Sequence, residues 1–522
     1  MDCCTLPPEV FETVLTYLDL ESVKALRLTS QSLAQRCLGP RFLGTIQQPI
    51  FDVSSHNLRS LRALSCNPTL SKRIHALTFL ATNLESSELE RNVRTGRYIK
   101  RRSNGPFCTA IGVEYTPEEL SSAISDLNWL KDQQEARANE SSDEMVELLQ
   151  LALKGFSELD SIYFDGAFIV GRTQRESTQK GKWHPLWMRA SHIFSLVVKA
   201  IVQSGASVKK LEVYRSTPRC CIPSSHITSY MSDLNQGKLE MLSTNLQTFK
   251  LSMSAEIDNT LDITAMDKDP LGEFEKGCEE LFNSPEVMRG LLTSEDPRAV
   301  LADGTPGITS LLKSASALRE LDLSFRHTLI GGKLHSYDRI IDSIAHEVEF
   351  PRLEKCALSG FLAKGESILL FLQKHPDLTS FTLHECTLTT SSWTPIFSHL
   401  DQSMSRLENL SLSNLSGKHM QNMNYAPRTA HQHPSETAQE EQGGQEVDGL
   451  VNLQPIWDTD RPPRWSCFSA AGGTYVHTRS FNREELEKGL VFRPLRRGVG
   501  RAKGSMELMW WRKSRSALYG PP

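Results

Sequence analysis

The stretches LRELDLSFR (318–326), LEKCALSGF (353–361), LTSFTLHEC (378–386) and LENLSLSNL (407–415) carry one pattern four times. A large apolar residue opens each, and two more come after it with a single residue between them, polar in all but the second copy, where it is Ala357. That alternation is the period of a strand with one face in a core. The template recurs upstream as Ile74/Leu77/Phe79, Leu159/Ile162/Phe164, Val208/Leu211/Val213 and Leu246/Phe249/Leu251. In the quoted copies it reads Leu318/Leu321/Leu323, Leu353/Cys356/Leu358, Leu378/Phe381/Leu383 and Leu407/Leu410/Leu412. Stretches of helical spacing separate them: DRIIDSIAHEVEF (338–350), ESILLFLQKH (366–375) and WTPIFSHLDQSM (393–404). Strand, turn and helix in repetition predict an α/β chain whose units stack, because one unit alone cannot bury its apolar face. The strands then lie side by side in a parallel sheet, with Leu321, Leu323, Phe381, Leu383, Leu410 and Leu412 in its core. Successive copies are 85, 49, 38, 72, 35, 25 and 29 residues apart, so the array is irregular and carries insertions.

This unit resembles the leucine-rich repeat, in strand pattern more than in full motif. The Asn or Cys that usually comes after the repeat strand occurs as Cys386; its counterparts are Ser216, Ser254, Arg326, Phe361 and Leu415. In such a repeat the residues between and just after the inward pair face a concave sheet. One row is then Glu212, Lys250, Asp322, Ala357, Thr382 and Ser411; the second is Tyr214, Ser252, Ser324, Ser359, His384 and Ser413. Candidate target-binding residues are Tyr214, Lys250, Ser252, Asp322 and Ser324, together with Thr382, His384, Ser411 and Ser413. Small serines let a partner backbone come close, and Tyr214 offers an aromatic anchor.

Helix signals crowd the first fifty residues. Pro7 and Pro8 suit a first turn, Glu9 and Glu12 complement its positive end, and Val10, Phe11, Val14, Leu15 and Leu18 share one side. Asp19 and then Thr29 or Ser30 can cap two further short helices. Three short helices cannot enclose a self-sufficient core, which predicts either a helical cap on the adjoining domain or a docking module completed by a partner.

LPPEVFETVLTYLDLESVKALRLTSQSLAQRCLGPRFL (6–43) resembles an F-box. The likeness rests on Leu6-Pro7, Glu9, Val14-Leu15 with Leu18, and the Leu20/Val23/Leu26 turn. Many F-boxes carry a late Trp where this chain has Leu33. The adjacent SSHNLRSLRALSCNPTLSKRIHALTF (54–79) is similar to the linker of fungal F-box proteins. The resemblance implies a three-helix F-box over 1–45 that docks a Skp-family adaptor and, through it, a cullin. Adaptor contacts fall on Leu6, Pro7, Pro8, Val10 and Val14, and on Leu15, Leu18, Leu20, Val23 and Leu26. An irregular leucine-rich-repeat-like solenoid over 46–416 would hold an unidentified protein target. Together these imply a substrate receptor of an SCF-type cullin–RING ubiquitin ligase, a non-catalytic role needing no cofactor. Competing classes are an interaction scaffold without ubiquitin transfer and a nucleic-acid-associated factor.

Composition narrows the rest. Apolar residues are 39% and charged residues 23% of 522, which permits a sizeable core and excludes wholesale disorder. With no run of about 18 uninterrupted apolar residues, a membrane is not expected as a partner. The first basic residue is Lys24, so the start is not that of a secretory leader, and eleven Cys are an odd number. The expectation is a cytoplasmic or nuclear protein with reduced thiols. Residues 417–460 are polar and read as a disordered linker. Residues 461–522 hold 13 Lys and Arg against 4 Glu, net +9, leaving 45 basic and 58 acidic residues, net −13, in the remainder. Aromatics interleave with those cations, but a packed terminal element with a solvated face accounts for them, so nucleic acid is not an expected partner. RNVRTGRYIKRRSNG (91–105) reads as a basic loop.

Motifs of catalysis are missing. His346-Glu347 and His384-Glu385 begin an H-E-x-x-H match that Phe350 and Leu388 fail to complete. Gly498–Ser505 lacks the Gly-Lys-Ser order of a phosphate loop, and His431 with His433 makes too small a set for a metal. No G-x-S-x-G elbow occurs. An enzyme is not expected.

Overall fold

The computed structural model describes residues 6–37, 47–255, 306–326, 337–417, 450–451 and 478–492, less short interruptions within those ranges. Asp19, most of the 417–460 linker, His431, His433 and Gly498–Ser505 lie outside the described residues. The chain is mixed α/β with mostly parallel strand pairing, and it divides into two compact units. One comprises 1–177 and 192–211, the other 178–191 and 212–522, so the division falls inside the expected 46–416 domain.

The first unit opens with α1 (Pro8–Thr16), α2 (Leu20–Thr29) and α3 (Gln31–Arg36). Pro8 sits in the first turn of α1, and Ser30 Oγ caps α3 by accepting from Leu33 N at 3.2 Å. Phe11, Leu15, Val23, Leu33 and Cys37 are buried together, with Leu6, Leu18 and Leu26 packed against them. The Arg36 guanidinium lies 4.5 Å from the Phe11 ring and donates to the Leu6 carbonyl, tying the third helix to the first. The three helices therefore enclose a small core of their own, against expectation. Leu15 and Val23 build that core and do not face outward, because an α-helical stripe of four or five apolar residues is wide enough to pack inward on one side and still spill onto the next.

Beyond these helices β1 (Ile50–Asp52), β2 (Ala76–Asn83) and β5 (Ser161–Ile169) pair in parallel, Leu77 opposite Ile162 and Phe79 opposite Phe164. Helices α4 (Ser55–Ser65), α6 (Pro117–Ala138) and α7 (Ser142–Gly155) accompany them, α4 packing on α7. The basic stretch expected as a loop is instead the end of α5 (Ser87–Thr95) and then β3 (Arg97–Asn104), which pairs antiparallel with β4 (Phe107–Glu114). A two-residue β6 (Arg175–Glu176) pairs with the end of β5. The long α8 (Trp183–Ser204) and β7 (Lys210–Val213) each contribute residues to both units.

In the second unit β9 (Thr248–Ser254), β10 (Glu320–Arg326), β11 (Lys355–Ser359), β13 (Ser380–His384) and β15 (Asn409–Ser413) pair in parallel, in chain order. Their register aligns the pattern: Phe249, Leu321, Cys356, Phe381 and Leu410 stand side by side, and Leu251, Leu323, Leu358, Leu383 and Leu412 form the next row. All ten are buried, as the alternation requires. After three of these strands the chain adds β12 (Leu362–Lys364), β14 (Thr387–Thr390) and β16 (Ser416–Gly417), a second parallel sheet. Helices α9 (Ser224–Ser232) and α10 (Gln236–Ser243) precede β9, and both pack on α11 (Gly307–Lys313). Helices α12 (Asp338–Glu347), α13 (Gly365–Lys374) and α14 (Thr394–Gln402) are the later crossovers, each packed on the next. Cys386 is buried at the turn position and its Sγ donates to the Leu358 carbonyl on the neighbouring strand at 3.4 Å. Gly360 adopts φ +74°, and an added Cβ would stand 2.0 Å from the Phe325 carbonyl oxygen. Only glycine fits there.

The far edge of this array is closed by β18 (Thr478–Phe481), which pairs antiparallel with β15 and buries Phe481 opposite Leu410. Arg483, opening α15 (Arg483–Glu487), donates to the Ser405 and Leu407 carbonyls at 2.7 and 3.3 Å. A short parallel pair, β17 (Leu450–Val451) with β19 (Val491–Phe492), completes the described strands. Within the basic 461–522 segment, residues 478–481 pair with the repeat sheet. Those residues are the last strand of that sheet among the described residues.

Candidate functional site

Two surfaces carry the residues singled out from the sequence. The first belongs to α1 and α2. With Leu15 and Val23 turned inward, Val10 is 46% exposed, Val14 41%, Tyr17 85% and Leu28 88%. Val10, Val14 and Tyr17 follow helical spacing down one side of α1, and Pro7 and Pro8 are exposed at its start. Leu6, Leu18 and Leu26 are half-buried between the two faces, and Leu20 opens α2. An exposed row of branched and aromatic side chains on a helix is a surface whose burial releases water, the main source of association energy. The outward positions of the expected adaptor set are thus Pro7, Pro8, Val10 and Val14. Sequence reading missed Tyr17 and Leu28. The spacing from Val14 to Tyr17 could have found the first; Leu28 lies off the apolar stripe and left no signal.

The second surface is the polar face of β9, β10, β11, β13 and β15. Lys250, Asp322, Ala357, Thr382 and Ser411 are opposite one another in register and half-buried, so the first expected row is continuous. Glu212 is likewise half-buried. Charges at the β9–β10 end are matched internally: Lys250 Nζ lies 2.8 Å from Glu320 Oε1, and Arg215 Nε lies 2.8 Å from Asp322 Oδ2. Asp322 Oδ1 is buried and has no hydrogen-bond partner among the described residues.

The second row is corrected. Ser252, Ser324, Ser359 and His384 are in register, but Tyr214, Ser252, Ser324 and Ser359 are buried. Tyr214 takes φ +51° just past β7, and its hydroxyl donates to the Ala190 carbonyl at 3.0 Å. Its own carbonyl accepts from Ser252 Oγ at 3.1 Å. The chain then returns as β8 (Ile222–Pro223) beside Met253 and Ser254, while Arg326 donates to the Thr217 carbonyl at 3.1 Å. This crossing segment lies at the carboxyl ends of β9 and β10; Tyr214 is buried within it and Ser252 is bonded to it, so neither is free. His384 stays half-buried, and its carbonyl accepts from Gly360 N at 2.8 Å. Ser413 ends β15.

Chemistry elsewhere is structural in character. Ser191 Oγ lies 2.7 Å from His226 Nδ1 and 3.2 Å from Tyr230 OH, but Ser191 is buried and the group joins α8 to α9. Burial holds the His226 imidazole below its ordinary range. Burial also pushes the Cys221 thiol up to about 12, which keeps it protonated and unreactive at neutral pH. Among the described residues no group of three His, Cys, Asp or Glu is placed to hold a metal ion, and no helix is long and apolar enough to cross a membrane.

No protein-family model matches the chain, and no curated protein matches it significantly.

Proposed function

We propose that the chain is a substrate-recognition subunit of an SCF-type cullin–RING ubiquitin ligase. In this reading the N-terminal helices are an F-box that docks a Skp-family adaptor, and the strand–helix units are leucine-rich-type repeats that hold a protein target. The observation that carries it is the division of labour in α1: Phe11 and Leu15 hold the three helices together, while Val10, Val14 and Tyr17 remain outward. A module with its own core and an uncovered apolar row is built to bind without refolding. The half-buried row from Lys250 to Ser411 supplies the target face. Neither surface needs to perform chemistry. Holding a target beside a ubiquitin-charged enzyme raises the effective concentration of its lysines.

The test is a Val10→Asp/Val14→Asp double variant of the full chain. Both positions are exposed, so folding is unaffected, but two carboxylates enter an interface that must lose water. Capture of the adaptor should fall by about 100-fold or more. Undiminished capture ends the F-box reading. Cullin recovered with the adaptor separates a ligase receptor from a scaffold that stops at the adaptor.

A further inference from the structure

The basic stretch 91–105 is folded, and the function proposed above makes no use of it. From Arg91 to Val113 the chain has six cations and no Asp or Glu: Arg91, Arg94, Arg97, Lys100, Arg101 and Arg102. The last four lie on β3, which pairs with β4 over eight positions, Arg97 opposite Glu114 through Asn104 opposite Phe107. At about 3.4 Å per residue this ribbon is roughly 27 Å long. Among the described residues it joins no other strand. Arg91 and Arg94 are exposed on α5, and neither guanidinium is in an ion pair among the described residues. Acids around the ribbon's base are engaged: Glu114 lies 2.5 Å from Arg97, Glu90 lies 2.9 Å from Lys131, and Glu119 accepts from Thr116 N at 2.9 Å. Glu88 is the remaining acid of α5.

The ladder shows which backbone groups are spare. Tyr115 N donates to the Gly96 carbonyl at 3.0 Å, making Gly96 and Tyr115 a hydrogen-bonded pair. In an antiparallel ladder such pairs alternate, so Tyr98, Lys100 and Arg102 direct their N–H and C=O toward β4. Arg97, Ile99, Arg101 and Ser103 direct theirs to the other side. The Arg97 carbonyl is met there by Thr95 Oγ1 at 3.4 Å, which agrees with that phase. Among the described residues Ile99, Arg101 and Ser103 are left as an open edge of alternating donors and acceptors.

We propose that this edge of β3 is a strand-addition site for an acidic peptide segment. An added strand would take its backbone hydrogen bonds from Ile99, Arg101 and Ser103. Its side chains would alternate across the two faces of the ribbon. By the same period of two, Arg97 and Arg101 hold positions on one face of β3 and Lys100 and Arg102 on the other. Cationic positions therefore occur on both faces of the edge strand, which suits consecutive carboxylates. A second copy of the same edge is repelled by like charge, so self-pairing is blocked and acidic strands are selected. Duplex nucleic acid also complements the charge, yet the rest of the chain outside 461–522 is net −13, which opposes a long polyanion more than a short peptide. The site stands whether or not α1 docks an adaptor.

The experiment uses the full chain and a labelled peptide with a central Glu-Asp-Glu-Asp run between β-branched residues, read by fluorescence anisotropy at about 0.1 M salt. Ile99→Pro keeps every cation and every β3–β4 hydrogen bond but removes one outward donor; it should weaken binding at least about tenfold. The Lys100→Gln/Arg101→Gln/Arg102→Gln variant should do the same, and N-methylation of alternate peptide nitrogens should abolish binding at unchanged charge. Circular dichroism of each variant checks that the chain is folded. Equal binding by Ile99→Pro, or by the N-methylated peptide, overturns strand addition. Equal binding by the triple variant places the peptide elsewhere. Retention of a 20-base-pair duplex without the peptide overturns the proposal in favour of nucleic acid.

Discussion

Single residues decide more in this chain than their types suggest. His375 is buried with Nε2 accepting from Phe350 N at 3.0 Å and Nδ1 set 2.7 Å from the Phe371 carbonyl. That arrangement uses the neutral ring, since a proton on Nε2 would face an N–H. Burial, ahead of the opposing hydrogen bond, holds its pKa below the ordinary 6.5. A group depressed in the folded state binds fewer protons there than in the unfolded chain between the two values. Its contribution is thus complete above pH 6.5 and lost as pH falls toward the folded value. Urea midpoints should drop between pH 7.5 and pH 5, and His375→Gln should flatten part of that slope. Gly360→Ala tests the backbone instead. With φ +74° and the Phe325 oxygen 2.0 Å from the new Cβ, the turn must open, and about 2–4 kcal/mol of stability should go. Leu15→Ala is the counterpart at the N-terminus. The loss of helix protection in hydrogen exchange over residues 8–36 should reveal it, with β9–β15 unaffected.

At the scale of elements, the repeat strands behave as alternation demands because burial on one face leaves no other register. Truncating Leu321, Leu383 or Leu410 to Ala should each cost about 2–5 kcal/mol, measured by chemical unfolding, since all three are fully enclosed. The outward face was only half legible. Residues such as Asp322 and Thr382 lie where the period puts them. Tyr214 and Ser252 do not stay free, because Tyr214 is bonded to Ala190 of α8 and Ser252 to Tyr214, partners distant in sequence that leave no mark in their own neighbourhood. The β3–β4 ribbon was misread for a related reason: runs of Arg and Lys carry little strand propensity, and cross-strand pairing, not local preference, makes them a strand.

For the whole molecule, the closing strand matters most. Between Gly417 and Thr478 lie residues 418–477, and β18 then returns to pair with Ser413 at its first residue. Replacing 418–477 by a ten-residue Gly/Ser linker removes β17 but shortens the connection, so in urea unfolding the second unit should stay folded, with about 1–2 kcal/mol gained from the shorter closure. Deleting 478–522 should act the other way. The β15 edge would lose its cover, Phe481 would leave its place beside Leu410, and the chain should self-associate in sedimentation velocity. A monodisperse truncated protein would show that β18 is dispensable as a cap.

The sequence by itself determined the periodic parts: eight copies of the apolar triplet, their inward faces, the helices between later copies and the three N-terminal helices. Each arises from a period of 2 or 3.6 residues, which is written locally. Tertiary structure alone decided which side of α1 is core and which is left to solvent, that residues 214–217 and 220–223 lie at one end of the sheet face, that a basic stretch pairs as a ribbon, and that a strand from the basic end closes the array. These depend on partners distant in the sequence or on competition between two apolar faces of one helix. No local pattern encodes them, because burial is settled by whichever distant surface arrives to exclude water.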